Sequence, residues 1–494
     1  MRRYALGMIG VFALAAAGSA NAVSLNPKGL GQTLLFPYYT VNRQQDTLLS
    51  VVNTSDVGKM ARLRFMEGYN GRSVAELNLF LAPHDVWVGG ITAADQGDVA
   101  SGALLVTNDK SCVAPMSTGS NGVVQPLFPL RFATVDFDGG NGVTGPDAGP
   151  QTIGRTREGH FELIALADIA PDSDTARRIA HVDNGQPNGA NPVDCSGLSS
   201  PVNFILDLVA PTSGLAGSAS IINVSEGTFF AYNADAIVGF TDRPLVNSTA
   251  DAQLATLKSA NSHESRLAAR AYLSTNAGKS LNVDYANGID AVSAVLMADN
   301  LYNEYFVSAE ASATDWVVTF PTKRFYVDKQ RYIGAPIAPF EQAFAADVGS
   351  PVAVGQRTFD RESIQRSNGC PGVPPEHGIC FTPPLGNEVN VISFQPLLPD
   401  DQVSLVFGSR LVGFMAPLGS TGWVELAFGG SGHQLARGND DLGASVLLNG
   451  LPVSGFMAYN VINANAAPGR LANYSAAFPH RSSVSCSGTS AGCL

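Results

Sequence analysis

The chain has 494 residues and a formal charge of −12, with 45% apolar and only 15% charged residues, 51 glycines and 29 prolines. That length exceeds one ordinary core, since domains commonly hold about 100–200 residues, so two or three units are expected. The acidic balance repels phosphate backbones and argues against a nucleic-acid partner, and the evenly spread apolar residues argue against disorder.

Residues 1–22 read as a secretory signal peptide. Arg2 and Arg3 supply the positive start, residues 5–17 an apolar run, and Ala20-Asn21-Ala22 a small-residue cleavage site. The run is about a dozen residues, too short to anchor in a bilayer core roughly 30 Å thick. Cleavage after Ala22 leaves Val23 as the first residue of an exported chain, bound for the periplasm, the outer surface or the medium. No second apolar segment of spanning length follows. No cysteine stands at the cleavage site to take a lipid, and the terminal Ser-Ala-Gly-Cys-Leu brings no apolar anchor.

Short strands follow at once. Residues 33–41 (TLLFPYYTV) hold Pro37 in an aromatic run, which suits an edge strand or a bulge. Residues 46–53 and 61–67 come next. The latter (ARLRFME) alternates, setting Leu63 and Phe65 on one face and Arg62, Arg64 and Met66 on the other. Residues 74–81 and 85–91 complete the pattern of an antiparallel sandwich. Residues 127–135 and 160–167 are strand-like, a helical turn is expected near 174–181, and residues 217–224 and 228–231 form a hairpin around Ser225-Glu226-Gly227. The Ala- and Leu-rich residues 250–275 are expected to be helical, as are residues 289–305. In residues 315–328 (DWVVTFPTKRFYVD), Trp316, Val318 and Phe320 share a strand face, and Phe325 and Val327 resume the alternation after Pro321. A final β block is expected at 388–394, 402–407, 422–428, 444–448 and 452–459, with Asn449-Gly450 as a hairpin turn.

Six cysteines remain after cleavage, an even count that favours disulfides in an exported chain. Proximity pairs Cys370 with Cys380 and Cys486 with Cys493, leaving Cys112 with Cys195. No CxxC occurs and only His377 lies near a cysteine pair, so zinc is not supported.

Motifs with chemical meaning are few. Gly488-Thr489-Ser490-Ala491-Gly492 has the form of a nucleophile elbow, but no acid or imidazole follows Ser490 to complete a triad. His84 beside Asp85 is read as a turn that sends Trp87 into the core. The loop at 136–150 offers oxygens from Asp136, Asp138, Asn141 and Asp147 for calcium, although its spacing departs from the EF-hand. Asp400-Asp401 and Asp440-Asp441 are read as surface turns, because carboxyls that cleave a glycoside must face each other across a sugar, roughly 5–9.5 Å apart. Asn53, Asn223, Asn247 and Asn473 stand in N-x-S/T sequons, to which no role is assigned. Pro37-Tyr38-Tyr39 and Phe325-Tyr326 are candidate partner-binding sheet edges.

Several segments carry a resemblance: GQTLLFPYYTV (31–41), DTLLSVVNTS (46–55), LNLFLAPHDVWVGGI (77–91), GSASIINVSEGTFFAYNADAI (217–237), TDWVVTFPTKRFYVD (314–328) and GLPVSGFMAYNVIN with LANYSAAFPH (450–480). On them the chain resembles a family of exported proteins of Gram-negative bacteria described as hypothetical or cell-surface proteins. The resemblance spans nearly the whole exported chain. It implies export, a β-rich fold and surface association, and it brings no activity and no catalytic residue.

The expected fold class is therefore mainly β. Two antiparallel β-sandwich-like domains, 23–110 and 385–494, flank a mixed β/α middle region with long loops at 111–384, and the second carries the disulfide-pinned tail. The expected function is that of an exported, non-catalytic structural or adhesive cell-surface protein without a cofactor. Its partners would be copies of itself, other surface proteins or polysaccharide, engaged through sheet edges. Two other classes stay open: an extracellular hydrolase or carbohydrate-active enzyme with a site assembled from distant residues, and a calcium-dependent binding module built on the Asp136 loop.

Overall fold

The computed structural model describes residues 22–118, 124–126, 128–139, 146–182, 191–246, 255–261, 269–276, 278–308, 312–329, 337–346, 348–367, 385–395, 402–417, 419–429, 432–435, 438–463, 467–470 and 472–493. Residues 1–21 of the expected leader, Asn141, Asn247, Cys370, His377, Cys380 and Asp400-Asp401 lie outside them. The fold is mainly β and is built from several sheets that are almost wholly antiparallel.

Two sheets form a first sandwich. In the inner sheet the spatial order is Ser24–Leu25, Asp235–Val238, Thr33–Thr40, Glu158–Ile169, Gly58–Glu67, Ser73–Leu81, Cys112–Ala114. In the outer sheet it is Leu130–Arg131, Ala103–Val106, Val86–Ala93, Asp46–Asn53, Leu215–Asn223, Thr228–Asn233. The alternation in residues 61–67 decides which face of the inner sheet meets the outer one. Leu63 and Phe65 turn inward with Leu34, Phe36 and Phe161 against Val51, Trp87, Leu105 and Ile221. The rings of Phe36 and Phe161 stack at 4.2 Å, a close offset arrangement that fixes the register of neighbouring strands. Pro37 sits at the irregularity where Glu158–Ile169 shifts register against Thr33–Thr40, so the missing amide falls at a bulge. Strands from residues 112–238 complete both sheets. The boundary expected at 110/111 therefore falls inside this sandwich.

The rest of the chain forms three further five-stranded sheets. One orders Val412–Met415, Val389–Phe394, Ser312–Thr319, Ser454–Val461 and Tyr474–Pro479. A second orders Gln365–Ser367, Gly355–Asp360, Thr421–Ala427, Asn300–Phe306 and Arg481–Ser483, and a third Ala269–Ser274, Ser280–Tyr285, Gly438–Asp440, Ser445–Leu448 and Cys486–Gly488. Trp316, Phe394, Tyr305, Val424 and Leu426 share one core with residues from the far face of the inner sheet, among them Met60, Phe80 and Ile164. The inner sheet is thus covered on both faces: every residue of Gly58–Glu67 and of Glu158–Ile169 is buried.

Several expected elements are corrected. Residues 269–274 are a strand rather than part of a helix, because Ala269, Ala271 and Leu273 are buried in alternation with Arg270, Tyr272 and Ser274. The described portion just before it holds only a short turn, Leu257–Ser259. The expected helix at 289–305 stops early. Gly288–Leu296 is helical, capped by Asn287, and Asn300–Phe306 is a strand with Leu301, Asn303 and Tyr305 inward. After Pro321 the chain makes a short helix, Arg324–Val327, with all four residues buried, so Phe325 and Val327 do not resume a strand. Residues 402–407 are irregular, and only Leu130–Arg131 is a strand within 127–135. Gly450 does take a positive φ of +101°, but its flanking strands pair elsewhere: Ser445–Leu448 with Gly438–Asp440 and Cys486–Gly488, Leu451–Pro452 with Met297–Ala298. The turn passes the chain between sheets instead of closing a hairpin. The hairpin at Ser225-Glu226-Gly227 forms as expected, with Gly227 at φ +67°.

Disulfides join Cys112 to Cys195 and Cys486 to Cys493, two of the three expected pairs. They indicate an oxidising environment rather than a reducing cytoplasm. Among the described residues no helix is long and apolar enough to cross a membrane.

Candidate functional site

The strongest concentration of ionisable groups lies where the far face of the inner sheet meets the rest of the molecule. Alternation supplies it. Arg62 and Arg64 on Gly58–Glu67 share a face with His160 and Glu162 on Glu158–Ile169, opposite Leu63, Phe65 and Phe161. The second unit brings Arg324, on its short helix, and Glu388, just before Val389–Phe394.

These groups form a chain of contacts. The His160 Nε2 lies 2.8 Å from Glu388 Oε1. Arg324 Nη1 donates to the same oxygen at 2.5 Å, and its backbone amide donates to Glu388 Oε2 at 3.1 Å. Arg324 Nη2 donates to Glu162 Oε2 at 3.1 Å, whose other oxygen accepts from Arg64 Nη1 at 2.8 Å. Arg62 closes the row on Glu76 at 2.6 Å. Burial alone would raise the Glu162 carboxyl, but Arg324 and Arg64 outweigh it and hold it below the usual carboxylate range. Next to Arg324, the Lys323 ammonium donates to the carbonyls of Leu385, Gly386 and Asn387 at 3.1, 3.0 and 3.1 Å. Burial pushes its pKa down to about 7, against the opposing pull of Glu388.

A second buried group adjoins the first. Glu67 accepts from the amides of Tyr69, Asn70 and Arg72 and from Arg155 Nε at 2.7 Å. Arg155 also forks onto both oxygens of Asp147 at 2.7 Å and lies 4.3 Å from the centre of the Phe137 ring. Burial opposes the ionised Asp147, and the bonds and charge of Arg155 outweigh it and lower its pKa. Arg72 bonds Asp328 at 3.0 Å and the Asp136 carbonyl at 2.7 Å. Glu158 is handled by neutral donors, Tyr38 at 2.9 Å and Ser409 at 2.6 Å, and its burial raises its pKa.

The expected site residues are mostly elsewhere. His84 is exposed at φ +57° and reaches Asp56 at 2.9 Å, while Trp87 is fully buried, as expected of a turn before a core strand. Ser490 is buried and donates to Asp440 at 2.7 Å. Asp440 also takes the amides of Leu442 and Ala444, and its neighbour Asp441 pairs with Arg270, so the two acids serve separate partners. Of the proposed calcium ligands, Asp136 accepts the Ser73 amide, Asp138 the Thr134 hydroxyl, and Asp147 is bound by Arg155. Among the described residues no three His, Cys, Asp or Glu side chains are placed to hold a metal ion. Neither proposed edge is free. Tyr38 and Tyr39 are buried in an interior strand, with hydroxyls on Glu158 and the Thr156 carbonyl, and Tyr326 is buried with its hydroxyl on Asp290.

The buried network escaped sequence reasoning, although its signal was present. His-Phe-Glu at 160–162 and Arg-Leu-Arg at 62–64 each set ionisable groups at period two around a core residue. That pattern reads as one solvated face until the partner face is known.

At the edge of this boundary lies a cleft of about 650 Å³, lined by Tyr69, Pro150, Phe344, Val348, Asn387 and Arg410 among others. Arg410 is exposed and its side chain makes no ion pair among the described residues, and burial pushes the Tyr69 hydroxyl up to about 12. No family model, no curated protein and no solved structure matches this chain.

Proposed function

We propose that the protein is exported and serves as a non-catalytic structural or adhesive protein of a bacterial cell surface. The observation that carries this reading is how the best acid–base pair is held. His160 and Glu388 are each about 1% exposed, and the Glu388 carboxylate is engaged by Arg324 as well as by the imidazole. Catalysis needs such a pair within hydrogen-bond reach of a substrate, and here protein fills that space. The two disulfides, the leader-like first 22 residues and the resemblance to exported bacterial proteins support the location.

Cell fractionation with thiol alkylation tests the location. The expected result is a processed chain beginning at Val23, found outside the cytoplasm, with its cysteines blocked to alkylation. Full-length chain with free thiols in the cytosol overturns it. For the role, the purified chain is expected to bind cells, matrix or polysaccharide and to leave chromogenic esters and glycosides intact. Turnover abolished by His160→Gln without loss of folding would make it an enzyme.

One observation favours a second reading, a saccharide-binding or carbohydrate-active module. The cleft combines the Arg410 guanidinium, the Tyr69 phenol and the Phe344 ring, groups suited to an acidic sugar. Binding of an acidic polysaccharide that falls at least about tenfold in Arg410→Ala, with the melting temperature unchanged, would support it. Equal binding by both proteins removes it.

A further inference from the structure

The outer sheet has one face in the first core and one face in solvent, and the solvent face is not the polar surface such a sheet normally shows. The register places its side chains in rows. One row runs Val106, Gly90, Leu48, Ser220, Ala231; the next Val88, Ser50, Ser218, Asn233; the third Val86, Val52, Ala216. None of these twelve residues is charged. Leu48, Val86 and Val88 are 44, 45 and 47% exposed, and Phe229 at the far edge is 54% exposed. The charged groups stand at the border: Asp46 and Arg131 in the terminal row, and Asp109, whose carboxylate accepts the Val88 and Ser111 amides.

The face has relief. Gly90 lies between Leu48 and Val106, and a methyl built on it would meet their side chains at 3.4 and 3.5 Å. Leu48 and Val106 thus close over Gly90, and with Val88 they stand as ridges beside a shallow groove of about 460 Å³ floored by Ser50, Ser218 and Ser220.

We propose that this face binds the same face of a second copy of the chain, two outer sheets stacking about a two-fold axis. Two features select that occupant. The chain carries a charge of −12, so most approaches of one copy to another bring like charges together, whereas this face brings none. The size also fits. The face spans five strands of four to nine residues. At about 4.8 Å between strands and 3.3 Å per residue this is roughly 550 Å² per copy, about 1,100 Å² in total, just above the roughly 1,000 Å² that a specific interface needs. Stacked sheets pack about 10 Å apart with ridges interdigitating, and an isologous contact lets the exposed Leu48 and Val88 ridges of each copy enter the groove over Ser50 and Ser218 of the other. The pairing requires nothing of the cleft or of the buried network.

The test is the mass of the disulfide-intact mature chain in solution, by light scattering or sedimentation, at about 10–100 µM, where a dimer with a micromolar Kd is populated. The expected result is a dimer. Leu48→Arg, Ser50→Lys and Ser50→Glu should each be monomeric with unchanged melting temperatures, since the positions are at the surface. Mixing Ser50→Lys with Ser50→Glu should restore the dimer mass, because opposite charges then face each other across the axis. A monomeric wild-type chain overturns the proposal, including one whose face is covered by an unrelated protein. So does a dimer that persists in all three variants, which would place the contact elsewhere.

Discussion

Arg324 and Glu162, 162 positions apart in the chain, meet at 3.1 Å with side chains no more than 1% exposed. One sits on a four-residue helix that follows a strand of the second unit, the other in the middle of the inner sheet. Their contact, with the one from Arg324 to Glu388, sets an ionic layer into a boundary where Met60, Phe80 and Ile164 otherwise share an apolar core with Trp316 and Phe394.

Removing one member of such a layer is far worse than replacing it whole. Arg324→Ala removes the cation that two buried carboxylates share, leaving Glu162 with Arg64 alone and Glu388 with His160 alone, and the expected loss is about 3–5 kcal/mol. Replacing the connected set together, Arg324→Met and Arg64→Met with Glu162→Leu, Glu388→Met and His160→Leu, should recover most of it. Urea denaturation midpoints measure both. A single-variant loss below about 1 kcal/mol would show that the boundary does not depend on this contact.

Lys323 makes stability rise with pH above neutrality. Its folded pKa of about 7 lies below the ordinary lysine value of 10.5. Between those values the unfolded chain holds a proton that the folded one has released, so raising the pH favours folding. The burden of the buried ammonium is felt in full below pH 7 and is relieved toward pH 10. The stability of wild type minus that of Lys323→Met should climb across this window. A flat difference would mean that Lys323 stays charged on its three carbonyls.

His480 acts at the acid end. Burial lowers its pKa to about 4 from 6.5, with Nε2 donating to the Val317 carbonyl at 3.0 Å and Nδ1 facing the Asn303 amide at 3.0 Å. The unfolded imidazole takes up a proton between those values and the folded one does not. Its contribution is complete above pH 6.5 and is lost as the pH falls toward 4. His480→Gln should show a shallower loss of stability over that interval. The side chain is half-buried, so one full proton is the upper limit of the difference in slope.

The two described disulfides should differ in worth. Cys112 and Cys195 are 83 residues apart, Cys486 and Cys493 only 7. Loop-closure entropy gives about 4–5 kcal/mol for the first and about 2–3 for the second. Replacing each pair by serine and comparing denaturation midpoints checks the order. Equal losses would mean that native contacts around the tail, such as Ser490 on Asp440, carry its stability instead.

Much of the first sandwich is legible in sequence because its strands alternate strictly. Leu63 and Phe65 face the core, and residues 46–53 match their strand at both ends. Composition misled at 250–275, where Ala and Leu favour a helix but Ala269, Ala271 and Leu273 repeat every second residue. Of the two disulfides that can be compared, Cys486–Cys493 follows from proximity in the chain and Cys112–Cys195 only as the pair left over. The boundary network does not. His160 and Glu162 read as a solvated face because their partners, Glu388 and Arg324, lie far downstream and no local pattern announces that they will cover it. For the same reason Tyr38 and Tyr39 read as an edge: their strand looks interrupted at Pro37, and only long-range pairing shows it to be interior.

The double covering of the inner sheet sets an order on synthesis. While the first 300 residues are emerging, Arg64, His160 and Glu162 have their sheet neighbours but neither Arg324 nor Glu388. The early half then holds a wet, half-finished surface and can only wait. A truncation anywhere before residue 388 should therefore yield a product whose inner sheet lacks this cover, however complete its opening strands look.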